Sequence, residues 1–176
     1  MTKGETLAWM IDVSKPLATR YFAGFDDNNR AMQAPNLPNH FAWTLGHCAM
    51  TMQRVAERID GGPLPAADFA AGVEFADGSP PTRFGTEGVA FGSKPVADAG
   101  RYPVVARCVE IFEAASDRFA AAARGASDER LDAEEPWGKV TLSMAMLIVR
   151  VNSHNSMHTG QLVDLRRALG LDRVIG

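Results

Sequence analysis

Apolar positions recur at steps of three and four along most of the chain, the period of a helix with one buried stripe. Leu7, Met10 and Ile11, followed by Leu17, Tyr21 and Phe22 beyond Pro16, predict a helix over residues 4–22 with a bend at the proline. Residues 23–36 carry Asn, Asp and Gly without periodicity and read as a loop. Asn36 and Pro38 predict the cap and first turn of a second helix. It presents Phe41, Leu45, Cys48, Met52, Val55 and Ile59 on one face and stops at Asp60-Gly61-Gly62. From Gly61 to Tyr102, Gly and Pro are dense and no period holds, which predicts a long irregular connection. Pro103 opens a third helix with Val104, Cys108, Ile111, Phe112, Ala115 and Phe119, ending at Gly125. A polar connection containing Asp132, Glu134, Glu135 and Pro136 leads to a last helix from about Ser143 to Leu169, closed by Gly170. Four main helices joined by one long crossover predict an all-α four-helix bundle.

A length of 176 residues suits one core, so residues 1–176 are expected to form a single domain. With 22% charged residues and a net charge of -3, the chain lacks the basic surface that nucleic-acid binding requires. No apolar run reaches the ~20 residues of a membrane span, since Leu142 to Val149 is stopped by Arg150 and Asn152. Glu5 and Asp12 interrupt the N-terminal apolar residues, so no secretory signal is read and a cytoplasmic location is expected. Cys48 and Cys108 carry no disulfide or zinc-module spacing and read as buried thiols.

The chemistry concentrates in the histidines. His154 and His158 stand four apart in the last helix, on one face and about 6 Å apart along the axis, close enough to grip one ion. His47, midway along the second helix among buried positions, can supply a third ligand across the interior. Three imidazoles without a fourth protein ligand form an open site of the kind used in catalysis, with zinc or nickel expected. Spacing alone leaves a second reading open, in which each histidine is satisfied by a local hydrogen bond. Position 155 is Asn, which excludes the general base of an H-E-x-x-H protease, and no Glu stands three residues before a histidine as a di-iron bundle requires.

The stretches Asn39-His40-Phe41-Ala42-Trp43-Thr44-Leu45-Gly46-His47 and His154-Asn155-Ser156-Met157-His158-Thr159-Gly160-Gln161-Leu162 resemble the two signature segments of the DinB superfamily. The resemblance joins Trp-x-x-Gly-His late in one helix to His-x-x-x-His-x-Gly-Gln in the last. It implies an up-down-down-up bundle with the long connection between helices 2 and 3, a divalent metal on His47, His154 and His158, and a homodimer. It also implies a thiol-dependent transferase or isomerase, whose partners would be a low-molecular-weight thiol and a small electrophile. The alternative is a non-enzymatic, stress-linked metal-binding or interaction module.

Four further residues are candidates for the substrate or for support of the ligands, while a catalytic residue as such is unassigned. Arg150 lies one turn before His154 and could hold an anionic group, or extend to the surface or pair with a carboxylate. Gln161, one turn after His158, reads as a hydrogen-bonding support. Trp43, one turn before His47, reads as packing that could wall the pocket. His40 is about 10 Å from His47 along the axis, so it either lines the entrance or caps the helix.

Overall fold

The computed structural model describes residues 1–72 and 79–175. It is mostly helical, and among the described residues no helix is long and apolar enough to cross a membrane. Helix α1 spans Lys3–Thr19, with Thr2 and Glu5 forming a reciprocal cap at its start. It passes through Pro16 without stopping and tightens into a 3-10 turn at Arg20–Phe22. Helix α2 spans Phe41–Asp60 and ends at Gly61, whose φ of 74° is a left-handed cap conformation that glycine adopts without strain.

The start of α2 differs from the sequence expectation. Asn36 is not its cap; it sits at φ 62° in a turn where Ala34 pairs with Leu37. The cap is His40, whose Nδ1 accepts the Trp43 backbone N–H at 3.3 Å. Pro38 therefore belongs to the approach rather than to the first turn.

The connection after α2 is not wholly irregular, although its residues 73–78 lie outside the described residues. Strand β1 (Phe69–Ala70) pairs in parallel with β2 (Phe84–Gly85), and a short helix α3 (Thr86–Val89) follows. Helix α4 (Val105–Gly125) anchors this crossover with two arginines. Arg107 bonds Asp68 at 2.6 Å and the carbonyls of Ala67 and Thr82 at 3.0 and 2.9 Å. Arg118 bonds Asp60 at 2.8 Å, Gln53 at 2.7 Å and the Pro63 carbonyl at 3.0 Å. Such charge-assisted forks fix a segment with little apolar core of its own.

After α4, helix α5 (Asp128–Asp132) and an antiparallel hairpin of β3 (Glu134–Trp137) and β4 (Val140–Ser143) occupy the stretch expected to be a polar connection. Ser143 then caps helix α6 (Met144–Ala168), which closes at Gly170 with φ 72°.

The four long helices pack in a ring: α1 against α4 and α6, and α2 against the same two. Lys15 pairs with Asp117 and Asp12 with Arg124, so α1 and α4 run in opposite directions. Their interior buries Phe41, Leu45, Met52, Ile111, Phe119 and Leu147. Phe41 stacks on Phe25 with centroids 4.5 Å apart and meets Phe22 edge-on at 5.5 Å, which holds the loop before α2 against the core.

His40 is fully buried and neutral. With Nε2–H donating to the Val96 carbonyl at 3.1 Å, Nδ1 accepts the Trp43 N–H and also stands 3.1 Å from the Arg30 carbonyl. Burial pushes its pKa down to about 4. An unfolded histidine takes up its proton near pH 6.5, so the folded state is penalised below that value. Stability is full above about pH 6.5 and falls by about 3 kcal/mol on the way to pH 4. His40→Asn keeps a capping oxygen without the titration, so urea unfolding of this variant is expected to depend less on pH between 6.5 and 4 than wild type. Equal slopes would remove His40 as the cause.

Candidate metal centre

Helices α2 and α6 bring His47, His154 and His158 together in the interior groove between them. The ring nitrogens available for coordination all lie within 4.8 Å of one another. His154 Nε2 is 3.2 Å from His47 Nε2 and 3.1 Å from His158 Nε2. His47 is buried, and the other two are half-buried.

The orientation follows from what holds the opposite edge of each ring. His47 Nδ1–H donates to the Val89 carbonyl of the crossover at 2.8 Å. His158 Nδ1–H donates to Gln161 Oε1 at 2.9 Å, an oxygen that also accepts from Asn39 Nδ2 at 2.9 Å. His154 Nδ1–H donates to Asn155 Oδ1 at 3.1 Å. A neutral imidazole has one N–H, so all three Nε2 lone pairs point inward.

Burial is the main force lowering all three pKa values, with His158 reaching about 4. Neighbouring imidazoles add to the effect at His158 and His47, and the Arg150 charge adds to it at His154. The rings are thus neutral at pH 7 and their lone pairs are available to a cation.

Three mutually facing lone pairs without a proton between them repel one another, and a cation at their centre removes that cost. For bonds of about 2.1 Å, the two separations of 3.1–3.2 Å correspond to roughly 95–99° at an ion, between the octahedral and tetrahedral values. The residues therefore fit a divalent ion, and the triad could hold one. Among the described residues no carboxylate or thiolate joins the group, so the donor set suits zinc or nickel better than calcium or magnesium.

Trp43 lies parallel to His47, with centroids 4.6 Å apart and 8° between planes, and turns its edge to His158 at 5.9 Å. Its Nε1–H donates to Ser93 Oγ at 3.0 Å, which ties the crossover down a second time. Gly46 is what lets the crossover come so near. A Cβ there would stand 2.7 Å from the Phe84 ring and 2.9 Å from Val89 Cγ1, inside any tolerated contact. The crossover also borders a solvent-open cavity of about 480 Å³ whose lining includes Val89, Ser93, Lys94, Arg101 and Tyr102, beside the groups that bond His47 and Trp43.

Of the other candidate residues, Gln161 and Trp43 touch the triad. His40 stays apart from it, facing Val96 and Tyr102, and Arg150 stands exposed one turn before His154. Cys48 is fully buried in the core and outside the triad. The Val89 carbonyl, Asn155 and Ser93 were not anticipated. Asn155 was findable as an oxygen next to a ligand, whereas a backbone carbonyl 42 residues from His47 leaves no mark in the side-chain pattern.

A mostly helical chain with three inward-facing histidines is, as a class, a helical protein with a histidine cluster that could hold one metal ion. The chain belongs to the DinB superfamily, whose sequence pattern it matches over residues 10–162. No curated protein matches it. Among solved structures it is similar to a conserved protein from Enterococcus faecalis, with a TM-score of 0.72 and 14% identity, covering 97% of this chain and 99% of that one. That likeness is one of fold.

Gly46→Ala is expected to push Phe84 and Val89 off α2, free the His47 ring and lower metal affinity tenfold or more, the usual cost of losing an outer partner of a ligand. Competition against a chromogenic chelator measures this. Affinity equal to wild type would show that the crossover does not hold His47 in place.

Proposed function

We propose that this chain is a cytoplasmic, divalent-metal-dependent enzyme that activates a low-molecular-weight thiol for transfer to a small electrophile, with zinc or nickel on His47, His154 and His158. The observation that carries this reading is the convergence of three Nε2 atoms whose Nδ1–H groups are all committed to oxygens. Three protein ligands leave a coordination position open, as catalytic sites do.

A +2 ion held there supplies the charge that lowers a thiol's pKa toward neutral, so that a thiolate is present at pH 7. The thiol's proton goes to solvent, and the sulfur forms a bond to the electrophilic carbon as that carbon's leaving group departs. Val89, Gln161 and Asn155 keep the three rings in the tautomer that the ion needs. Trp43 and the crossover wall the groove and limit water on the His47 side. The protein's own thiols do not take part: Cys48 and Cys108 are buried, and burial pushes both far above their usual pKa. The sulfur nucleophile must then come from a small molecule. Two unpaired thiols also suit a reducing compartment.

The proposed scaffold is a single domain, a four-helix bundle of up-down-down-up course. The antiparallel pairing of α1 with α4 and the contacts of α2 His47 with α6 His154 support it. A homodimer is supported by Trp9, Val13 and Leu17, apolar and exposed at four-residue spacing along α1. A monomer mass in light scattering at micromolar concentration would overturn that part.

Elemental mass spectrometry of untagged protein tests the centre. About one equivalent of zinc or nickel is expected in wild type, and none in His154→Ala or His158→Ala. The loaded protein should then accelerate consumption of free thiol across a panel of small thiols and electrophiles. Metal without any acceleration would sink the enzymatic reading, and absence of metal would sink the centre.

A further inference from the structure

A groove of about 470 Å³ opens between α1 and α6, lined by Leu7, Leu142, Ala145, Met146, Val149 and Arg150. Five of the six lining residues are apolar. Met146 and Val149 leave 58% and 44% of their surface exposed, so the groove presents hydrocarbon to solvent next to the Arg150 charge. The one polar group is the Arg150 guanidinium.

Arg150 differs from the arginines around it. Arg54 is paired with Glu57 at 3.0 Å, Arg130 with Glu135 at 2.6 Å, and Arg124 with Asp12 at 2.6 Å. No carboxylate pairs with Arg150 among the described residues. It also belongs to two places at once: it closes the groove, and it stands one helical turn, about 6 Å, before His154.

We propose that Arg150 and this groove form the subsite for an amphiphilic acid, with the acid group on the guanidinium and the hydrocarbon lying over Val149, Met146 and Ala145. A planar guanidinium matches a carboxylate in a two-pronged pair, and the remaining surface offers contacts only to hydrocarbon. From Ala145 to Arg150 the helix advances about 7.5 Å, which suits a short chain rather than a long one. An electrophile of the proposed transfer held this way keeps its carboxylate free on Arg150 and carries its leaving group on another carbon, from which the thiolate sulfur displaces it as an anion. This subsite rests on the metal-centred reading for its role, but its occupancy is measurable without turnover.

The test is isothermal titration of the full-length, zinc-loaded protein with octanoate and with octanol, alongside zinc analysis of each variant. Octanoate is expected to bind wild type at least tenfold more tightly than Arg150→Gln, with part of the loss recovered in Arg150→Lys and one equivalent of zinc in all three. Octanol should bind weakly and equally to all. Val149→Glu, which places a carboxylate in the groove, should abolish octanoate binding while keeping its zinc. Octanoate affinity unchanged by Arg150→Gln would mean capture by the ion alone and would overturn the subsite, as would absence of octanoate binding to zinc-loaded wild type. A protein that binds octanoate through Arg150 but takes up no zinc would instead overturn the metal-centred reading and leave the subsite standing.

Discussion

The closeness of the crossover to α2 is the constraint on which the centre depends. Helix α2 carries no side chain at position 46, so Phe84 is buried against bare backbone and Val89 comes to rest one residue from His47. Only at that distance can the Val89 carbonyl take the His47 Nδ1–H. Ser93 and Trp43 complete the same seam a turn away. The anchoring arginines on α4, Arg107 and Arg118, hold the crossover to the helices from its other side. A long segment with little core of its own is thereby made rigid enough to orient a ligand.

Electrostatics then follow from burial. Taking three imidazoles out of water favours their neutral forms, and the oxygens on their outer edges select which nitrogen keeps the proton. The same burial makes Cys48 and Cys108 unreactive. In this fold the interior suppresses the protein's own sulfur chemistry while presenting nitrogen lone pairs to a cation.

Much of this was legible in the chain. The stripes Phe41 to Val55 and Cys108 to Phe119 predicted α2 and α4 because burial of one face leaves a 3.6-residue period. His154 and His158 were legible because four residues make one turn. Other features were hidden for identifiable reasons. Asn36 and Pro38 have the chemistry of a helix start, but the same chemistry makes a turn, and His40 took the cap because its buried ring could reach the Trp43 N–H. The hairpin at Glu134–Ser143 was masked by Pro136 and the charges before it, although Trp137 and Val140 flank a two-residue Gly138-Lys139 turn. The parallel pairing of Phe69 with Phe84 spans a gap too long for any local pattern to announce.

The division of the triad between helices also sets an order of events during synthesis. His154, His158 and their oxygen partners Asn155 and Gln161 lie on one helix, which leaves the ribosome after α2 and the crossover. A nascent chain therefore holds only one of the three histidines until α6 emerges, and a domain closes as a unit. Any ion that the triad holds would need α6 in place, so its entry would follow closure of the helices.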